Sequence, residues 1–209
     1  AARNLRIRYE PRKAEFDPEA VEPELPPKKQ SSTGDLDAAM ASAAAALDEV
    51  WHTPSMSAAA MEPHAAIAEW QDGSVTIRAS MQMLSSNRKQ MADALGVAEE
   101  KVRLLAAYVG GGFGSKLGIN AEAVAAAIAA EKLGRPVSVT MTRQQVFDLS
   151  HRRSETRQRV LLACDATGRL TGIGHEALVS NLPGSKFSEP VTQATPFTYA
   201  AENRRIVHA

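Results

Sequence analysis

Glycine is concentrated in one short segment of the chain. Five of the 13 glycines among the 209 residues lie between positions 110 and 118, where the sequence reads GGGFGSK from Gly110 to Lys116. An apolar stretch at 102–108 precedes this loop and the clearest helical pattern, 120–136, follows it. Glycine permits positive φ and a close approach to backbone amides, and successive free amides form an anion-binding nest. We therefore predict an anion-binding loop, aided by the helix N-terminus at Asn120, in preference to a tight turn without a ligand.

Composition excludes several classes of protein. Lys plus Arg and Asp plus Glu each number 24, so the net charge is zero, which argues against a nucleic-acid binder. Hydrophobic residues make up 44% of the chain, enough for a folded core, and no apolar run reaches the roughly 20 residues of a membrane helix. The single cysteine, Cys164, excludes an internal disulfide and an all-cysteine zinc or iron–sulfur site, and we expect it to be a buried, inert thiol. The five histidines show no metal-ligand spacing.

Hydrophobic periodicity and turn signals predict an α+β fold with layered mixed or antiparallel sheets and flanking helices. The predicted helices are 35–45, 86–95, 120–136 and 144–149. The predicted strands are 5–10, 49–53, 66–70, 75–79, 102–108, 137–141, 155–163 and 170–180. The stretch at 102–108 has little polar alternation, so we expect that strand to be buried on both faces.

The position of the proline-rich segment predicts three regions in the chain. Residues 1–16 are interpreted as the end of a preceding domain, and the Pro-rich segment 17–34 as a linker. Residues 35–209 form the third region, which contains the glycine loop.

Two nucleotide-binding motifs fit the loop poorly. A phosphate loop of the GxxxxGK[ST] type fails, because Ser115 stands where glycine belongs before Lys116 and Leu117 replaces the hydroxyl. The dinucleotide motif G-x-G-x-x-G fits at Gly110 and Gly112 but meets Ser115 at its third glycine. A non-catalytic phosphate- or nucleotide-binding module that uses the Gly110–Gly114 loop remains the alternative function. A structural or assembly domain that keeps the loop without using it is a third possibility.

Three ordered motifs resemble one enzyme family. The GGGFGSK segment is similar to the molybdenum-cofactor loop in the large subunit of the xanthine oxidase/aldehyde oxidase family. Met61–Ala68 is similar to the family's MEPxxAxA segment, and Ser80–Gln82 stands where the family has its (S/T)xQ glutamine. Gln82 precedes Phe113 by 31 residues, as in the family. With the SETRQR stretch at 154–159, the chain most resembles bacterial aldehyde oxidoreductases of the periplasmic three-subunit type.

The resemblance implies roles for particular residues. The cofactor would be molybdopterin or its cytosine dinucleotide, bound by the residues Gln82, Gly111, Gly112, Phe113 and Gly114. Gln82 would donate a hydrogen bond to the oxo ligand of the molybdenum, and the backbone amides of Phe113 and Gly114 would face the oxygen ligands or the pterin. The protein would supply no direct metal ligand. Leu117 would line the substrate pocket, because purine-oxidising members have a glutamate there, and leucine favours an apolar or aromatic aldehyde.

The resemblance also implies a larger assembly. The family oxidises aldehydes to carboxylic acids with water as oxygen source, and its catalytic base is a glutamate near the far end of a longer subunit. We assign no catalytic residue to this chain, because none of the six glutamates considered lies in a motif that matches the one around that base; they are Glu122, Glu131, Glu155, Glu176, Glu189 and Glu202. The expected partners are the rest of the large subunit, subunits with 2Fe–2S clusters and FAD, and a small aldehyde. We expect a soluble bacterial protein of the periplasm or cytoplasm, and a fragment that is inactive alone.

Other polar groups have a structural interpretation. In HRRSETRQR, 151–159, alternate residues of one strand would place Arg153, Glu155, Arg157 and Arg159 on one solvated face with cross-strand ion pairs. The alternative for these arginines is contact with a cofactor phosphate or a partner subunit. Glu62 and His64 could form a polar cluster, although Pro63 between them favours a merely extended segment. Met81 and Met83 could line the pocket beside Gln82, although core packing is the more usual role of methionine.

Overall fold

The computed structural model describes residues 6–11, 13, 17, 20, 22–181 and 187–209. The helices are α1 Leu36–Ser42, α2 Leu84–Leu95, α3 Ala121–Leu133, α4 Arg143–Leu149 and α5 Thr195–Thr198. The strands are β1 Ser31–Thr33, β2 Ala45–Thr53, β3 Met56–Ser57, β4 Ala65–Gln71, β5 Ser74–Ala79, β6 Val102–Leu105, β7 Val137–Thr140, β8 Arg152–Arg153, β9 Thr156–Cys164, β10 Leu170–Val179 and β11 Asn203–His208.

The described chain divides into two compact units. The terminal unit combines the described residues up to Thr53 with those from Glu155 onward, and the central unit is Pro54–Ser154. The predicted boundaries at residues 16 and 34 stay a prediction, although the end of the predicted linker forms β1.

The central unit is a four-stranded sheet covered by two helices. The strand order is β6-β5-β4-β7, with β5 and β6 parallel and the other pairs antiparallel. One side of α3 consists of buried alanines at helical spacing, which lets the helix lie close to the sheet; they are Ala123, Ala126, Ala127 and Ala130. Val75 and Ile77 of β5 and Met91 of α2 complete this core without measurable exposure. The indole of Trp70 donates to the carbonyl of Ala127 at 2.9 Å, which adds a polar anchor between β4 and α3.

The terminal unit is a five-stranded sheet in the order β1-β11-β10-β9-β2. Its strands β10 and β11 are parallel and the other neighbours antiparallel. Helix α1 begins after Asp35, whose carboxylate accepts from the amide of Ala38 at 2.9 Å, as the sequence predicts. Leu36 of α1 is buried against Gly172 and Gly174 of β10.

These mixed sheets with flanking helices confirm the predicted α+β class. Several local predictions are wrong. Residues 6–10 form no strand, because alternation alone supplies no hydrogen-bonded partner, and Leu5 lies outside the described residues. β6 ends at Leu105 and exposes Arg103, so it is not buried on both faces, and Cys164 is half-buried. Within the described residues, no helix has both the length and the apolar character needed to cross a membrane.

Candidate functional site

The three motifs meet at one edge of the central sheet. Because β4 runs antiparallel to β5, its start lies beside the end of β5, and the parallel strand β6 ends at the same edge. Glu62 comes just before β4, Gln82 follows β5, and the loop from Gly110 to Lys116 follows β6. The sheet topology therefore places residues that are far apart in the sequence within hydrogen-bonding distance of each other.

The carboxamide of Gln82 is held in one orientation. Its Oε1 atom accepts hydrogen bonds from the backbone amides of Gly114 at 3.1 Å and Lys116 at 3.2 Å. Its own backbone N–H donates to the carbonyl of Lys116 at 2.8 Å. Because a backbone N–H can only donate, the side-chain atom that faces these amides must be the oxygen. The Nε2 group is therefore left as a donor on an exposed side chain.

The glycines of the loop have two different structural roles. Gly111 and Gly114 adopt φ values of +93° and +94°, which side chains rarely tolerate, and Phe113 between them is also left-handed at +52°. Gly110 and Gly112 have ordinary φ values but lie against other side chains. A Cβ on Gly112 would overlap the Gln82 carboxamide, with Cδ only 2.5 Å away, and a Cβ on Gly110 would lie 2.6 Å from Cβ of Glu62. Gly110 and Gly112 therefore leave room for the side chains of Glu62 and Gln82.

Three consecutive amides remain for a ligand. The amides of Gly114 and Lys116 bind Gln82, and that of Gly110 binds the Glu62 carboxylate. The amides of Ser115 and Leu117 donate to carbonyls within the loop. Gly111, Gly112 and Phe113 lie between Gly110 and Gly114. No residue that the structure describes accepts a hydrogen bond from the amides of these three residues. The amide of Gly114 donates to Gln82 here, and the contact with the cofactor that the resemblance implies for it stays a prediction.

Lys116 and Glu62 form an ion pair beneath the loop. The Lys116 side chain has no exposed surface, whereas that of Glu62 is 36% exposed. Lys116 Nζ lies 2.7 Å from Glu62 Oε2 and 3.1 Å from Ser80 Oγ. Burial alone would raise the pKa of Glu62, but hydrogen bonds from Lys116, Ser80 and the Gly110 amide outweigh it, so the pKa lies below its usual value.

His64 belongs to the same polar cluster and is 1% exposed. Burial lowers its pKa despite a hydrogen bond to the Ser115 carbonyl, so the imidazole is neutral at neutral pH. Its Nε2 lies 3.2 Å from that carbonyl oxygen and must be the protonated nitrogen, since a carbonyl only accepts. Asn120 donates to the same carbonyl at 3.2 Å, and its side chain does not cap α3. The polar-cluster interpretation of Glu62 and His64 is therefore the correct one.

Glu122 is a buried carboxyl group in the first turn of α3. It is 4% exposed, and no described residue bonds its Oε2 atom. Burial raises its pKa, although a bond to its own amide and the charge of Lys116 act in the opposite direction. Folding therefore favours the protonated form of Glu122. The stability that the protonated carboxyl contributes is complete below the unfolded pKa near 4.5 and is lost as pH rises through the higher folded pKa.

We expect Glu122→Gln to stabilise the protein at neutral pH by about 1 kcal/mol, because it removes a charge from a site without a counter-ion bonded to it. Native-state hydrogen exchange of peptides from α3 at pH 7 and pH 4 measures the effect on the local free energy of unfolding. The gain should be present at pH 7 and absent at pH 4, where the wild-type carboxyl is protonated. Glu131→Gln on the exposed side of α3 is the control. An equal gain at both pH values would contradict this assignment.

The remaining predicted residues lie in varied surroundings. Leu117 follows the loop and is partly exposed, while Met81 is buried and Met83 is exposed. The arginine-rich stretch is not one strand: Arg153 belongs to β8 and lies beside Gly114, with its Cζ 3.4 Å from the position that a Cβ there would occupy. Arg159 in β9 pairs with Asp48 of the neighbouring strand at 2.6 Å, which confirms a cross-strand ion pair.

Comparison with known proteins identifies the family. Residues 21–207 match the molybdopterin cofactor-binding domain. The chain belongs to this family. A molybdopterin-binding domain needs hydrogen-bond donors for an oxygen-rich, anionic group. The Nε2 group of Gln82 and the amides of Gly111–Phe113 are donors that fit such a group. Among the described residues, no group of three or more His, Cys, Asp or Glu side chains could hold a metal ion.

Individual relatives narrow the comparison. The chain is 39% identical over 182 residues to the aldehyde oxidoreductase molybdenum-binding subunit PaoC of Escherichia coli strain K12. The aligned residues cover 87% of this chain and 24% of that protein. It is 31% identical to the 6-hydroxypseudooxynicotine dehydrogenase complex subunit gamma of Paenarthrobacter nicotinovorans, over 91% of this chain and 25% of that subunit. The chain thus spans about a quarter of the length of these relatives.

A solved structure shares the fold. The aldehyde oxidoreductase from Desulfovibrio gigas matches with a TM-score of 0.78 and 25% sequence identity, over 86% of this chain and 20% of that one. The mixed sheets and helices described above are therefore the arrangement of the molybdopterin-binding domain in an aldehyde oxidoreductase.

Proposed function

We propose that the chain forms part of the molybdenum-cofactor site of an enzyme that oxidises aldehydes to carboxylic acids. The observation that carries this proposal is the fixed orientation of Gln82, which leaves its Nε2 group as a donor, together with three loop amides from which no described residue accepts a hydrogen bond. The 39% identity to an aldehyde oxidoreductase subunit supports the substrate class. The same family match favours a molybdenum cofactor over the alternative of a phosphate- or nucleotide-binding module.

In this proposal the chain binds and orients the cofactor. The Nε2 group of Gln82 would donate a hydrogen bond to the cofactor at its metal end, and the amides of Gly111, Gly112 and Phe113 would donate to other cofactor oxygens or to the pterin. When bound, the cofactor, as molybdopterin or its cytosine dinucleotide, supplies the redox centre at which the aldehyde is oxidised. Leu117, exposed just after the loop, is proposed to line an apolar part of the substrate pocket.

The reaction requires groups beyond this chain. Conversion of an aldehyde to an acid takes one oxygen from water and releases two electrons and two protons. We propose that a glutamate in another part of a longer subunit is the base, and that 2Fe–2S and FAD subunits accept the electrons. One cysteine cannot ligate a cluster of four-cysteine type, which supports partner subunits for electron transfer. The similarity to the gamma subunit of a dehydrogenase complex also supports an assembly of several chains.

The experiment measures molybdenum, pterin and aldehyde oxidation in the full-length gene product, purified with its partner subunits. We expect about one molybdenum per subunit in the wild type, and a reduction in aldehyde turnover of about tenfold or more in Gln82→Ala, because a donor to the metal's oxygen is lost. Gln71→Ala, an exposed glutamine at the end of β4, is the matched control and should retain wild-type turnover. A wild-type protein that contains an adenine nucleotide and no molybdenum would overturn the proposal.

A further inference from the structure

One carboxylate joins the two ends of the glycine loop. Glu62 Oε2 accepts from the amide of Gly110, the first loop residue, at 2.7 Å. The same oxygen accepts from the ammonium of Lys116, the last loop residue, at 2.7 Å. The Glu62 backbone also donates to the carbonyl of Gly110 at 3.3 Å. The loop is thus closed at its base by an ion pair, and the Ser80 hydroxyl accepts a further bond from Lys116 at 3.1 Å.

Lys116 also holds Gln82 through its main chain. Its amide binds Gln82 Oε1 and its carbonyl accepts from the Gln82 amide. The position of the Lys116 backbone therefore sets the orientation of the Gln82 carboxamide, and the side chain of Lys116 fixes that backbone position.

Stability alone is a poor reason for this arrangement. Removing an ammonium from water is costly, and replacing a buried ion pair by apolar residues of similar size is often neutral or stabilising. A lysine with no exposed surface therefore needs a geometric role that an apolar side chain would not fulfil. The charge-assisted bonds of Lys116 and Glu62 provide directed contacts to Gly110 and Ser80, which flank the two donor segments.

We propose that Lys116 and Glu62 are positioning residues. They fix the orientation in which the Nε2 group of Gln82 and the amides of Gly111–Phe113 face the molybdenum cofactor. This inference rests on the proposed function for the identity of the bound group. The positioning itself is a property of the protein without the cofactor, so it can be tested separately.

The first test is hydrogen exchange in the cofactor-free, full-length gene product. The variant Lys116→Met/Glu62→Gln removes both charges together, so no unpaired charge stays buried. We expect the amides of Gly114 and Lys116, which bind Gln82, to exchange about tenfold faster than in the wild type, because the loop is no longer tied at its base. Lys89→Met/Asp93→Asn neutralises an exposed ion pair on α2 in the same unit and should leave these amides unchanged.

Unchanged exchange at Gly114 and Lys116 in the double variant would overturn the proposal. Glu62→Asp provides a second variant that keeps the charge opposite Lys116 but shortens the reach to Gly110, so folding is preserved. Faster exchange at Gly110 and at the two amides that bind Gln82 is expected there as well, and protected amides would contradict the proposal.

The second test asks whether the ion pair acts through Gln82. We expect Lys116→Met/Glu62→Gln to lower molybdenum content about tenfold in the wild-type background and by clearly less in a Gln82→Ala background, where only the contribution of the loop amides is left to lose. A merely structural pair would give losses that multiply in the combined variant, which would overturn the positioning role. Wild-type protein without molybdenum would instead contradict the proposed function, while the exchange experiment would still decide the role of the pair.

Discussion

Replacement of Glu62 by glutamine is expected to lower the free energy of unfolding of the central unit by about 3 kcal/mol, at the low end of the range for broken buried ion pairs. The reason is the difference in exposure between the partners. Glu62→Gln leaves the ammonium of Lys116 without a counter-charge and without exposed surface. Lys116→Met leaves a carboxylate that is 36% exposed and that water can solvate. The glutamine variant should therefore be less stable than the methionine variant.

The pH dependence of this loss follows from the lowered pKa of Glu62. A carboxyl group whose folded pKa lies below its unfolded value, near 4.5, contributes stability above the unfolded value and loses it as pH falls through the folded pKa. The difference between the wild type and Glu62→Gln should therefore be full at pH 7 and become smaller below about pH 4.5.

Native-state hydrogen exchange of peptides from residues 54–154 in the full-length gene product gives the local unfolding free energies. Exchange is preferable to a single melting temperature, because a multidomain protein need not unfold in one step. Glu69→Gln removes one partner of the exposed Glu69–Arg78 pair and serves as the control, with an expected change below about 1 kcal/mol. A Lys116→Met variant that is less stable than Glu62→Gln would contradict the argument from burial.

The elements of the fold follow from local signals where those signals are strong. The hairpin of β4 and β5 around Asp72–Gly73 and the end of α2 at Gly96 depend on turn residues that the sequence displays. The short strands β1 and β11 carry no comparable signal, because they exist only by pairing with each other and with β10. Likewise, the alternation at residues 5–10 indicates amphipathicity, and residues 6–10 nevertheless form no strand.

The candidate site was predictable in part. The glycine loop is predicted from its glycine cluster and Gln82 from the resemblance to the enzyme family, and the structure brings them together. The buried lysine was missed, since an isolated lysine beside glycines is normally a solvent-exposed side chain. The pairing with Glu62 depends on the antiparallel arrangement of β4 and β5, which no local pattern specifies. The MEPxxAxA segment contained the relevant signal, because its glutamate and histidine both face the loop.

We expect the molybdenum content of a Gly112→Ala variant to be about tenfold or more lower than that of the wild type. This is the range seen when a supporting contact of a metal site is removed. The added Cβ would occupy the place of the Gln82 carboxamide, which would have to leave the amides of Gly114 and Lys116. The backbone φ of Gly112 is ordinary, so the effect comes from the overlap and not from strain in the main chain.

Gly134→Ala is the matched control for Gly112→Ala. Gly134 ends α3 at φ +60° with open space around its Cβ position, so alanine there costs about 1–2 kcal/mol of backbone strain without touching Gln82. Molybdenum content measured by elemental analysis should stay at the wild-type level in this control. In Gly112→Ala/Gln82→Ala the overlap is gone, so hydrogen exchange should show stability restored while molybdenum content stays low. If Gly112→Ala retained full molybdenum content, contact between Gly112 and the Gln82 side chain could not be a requirement of the site.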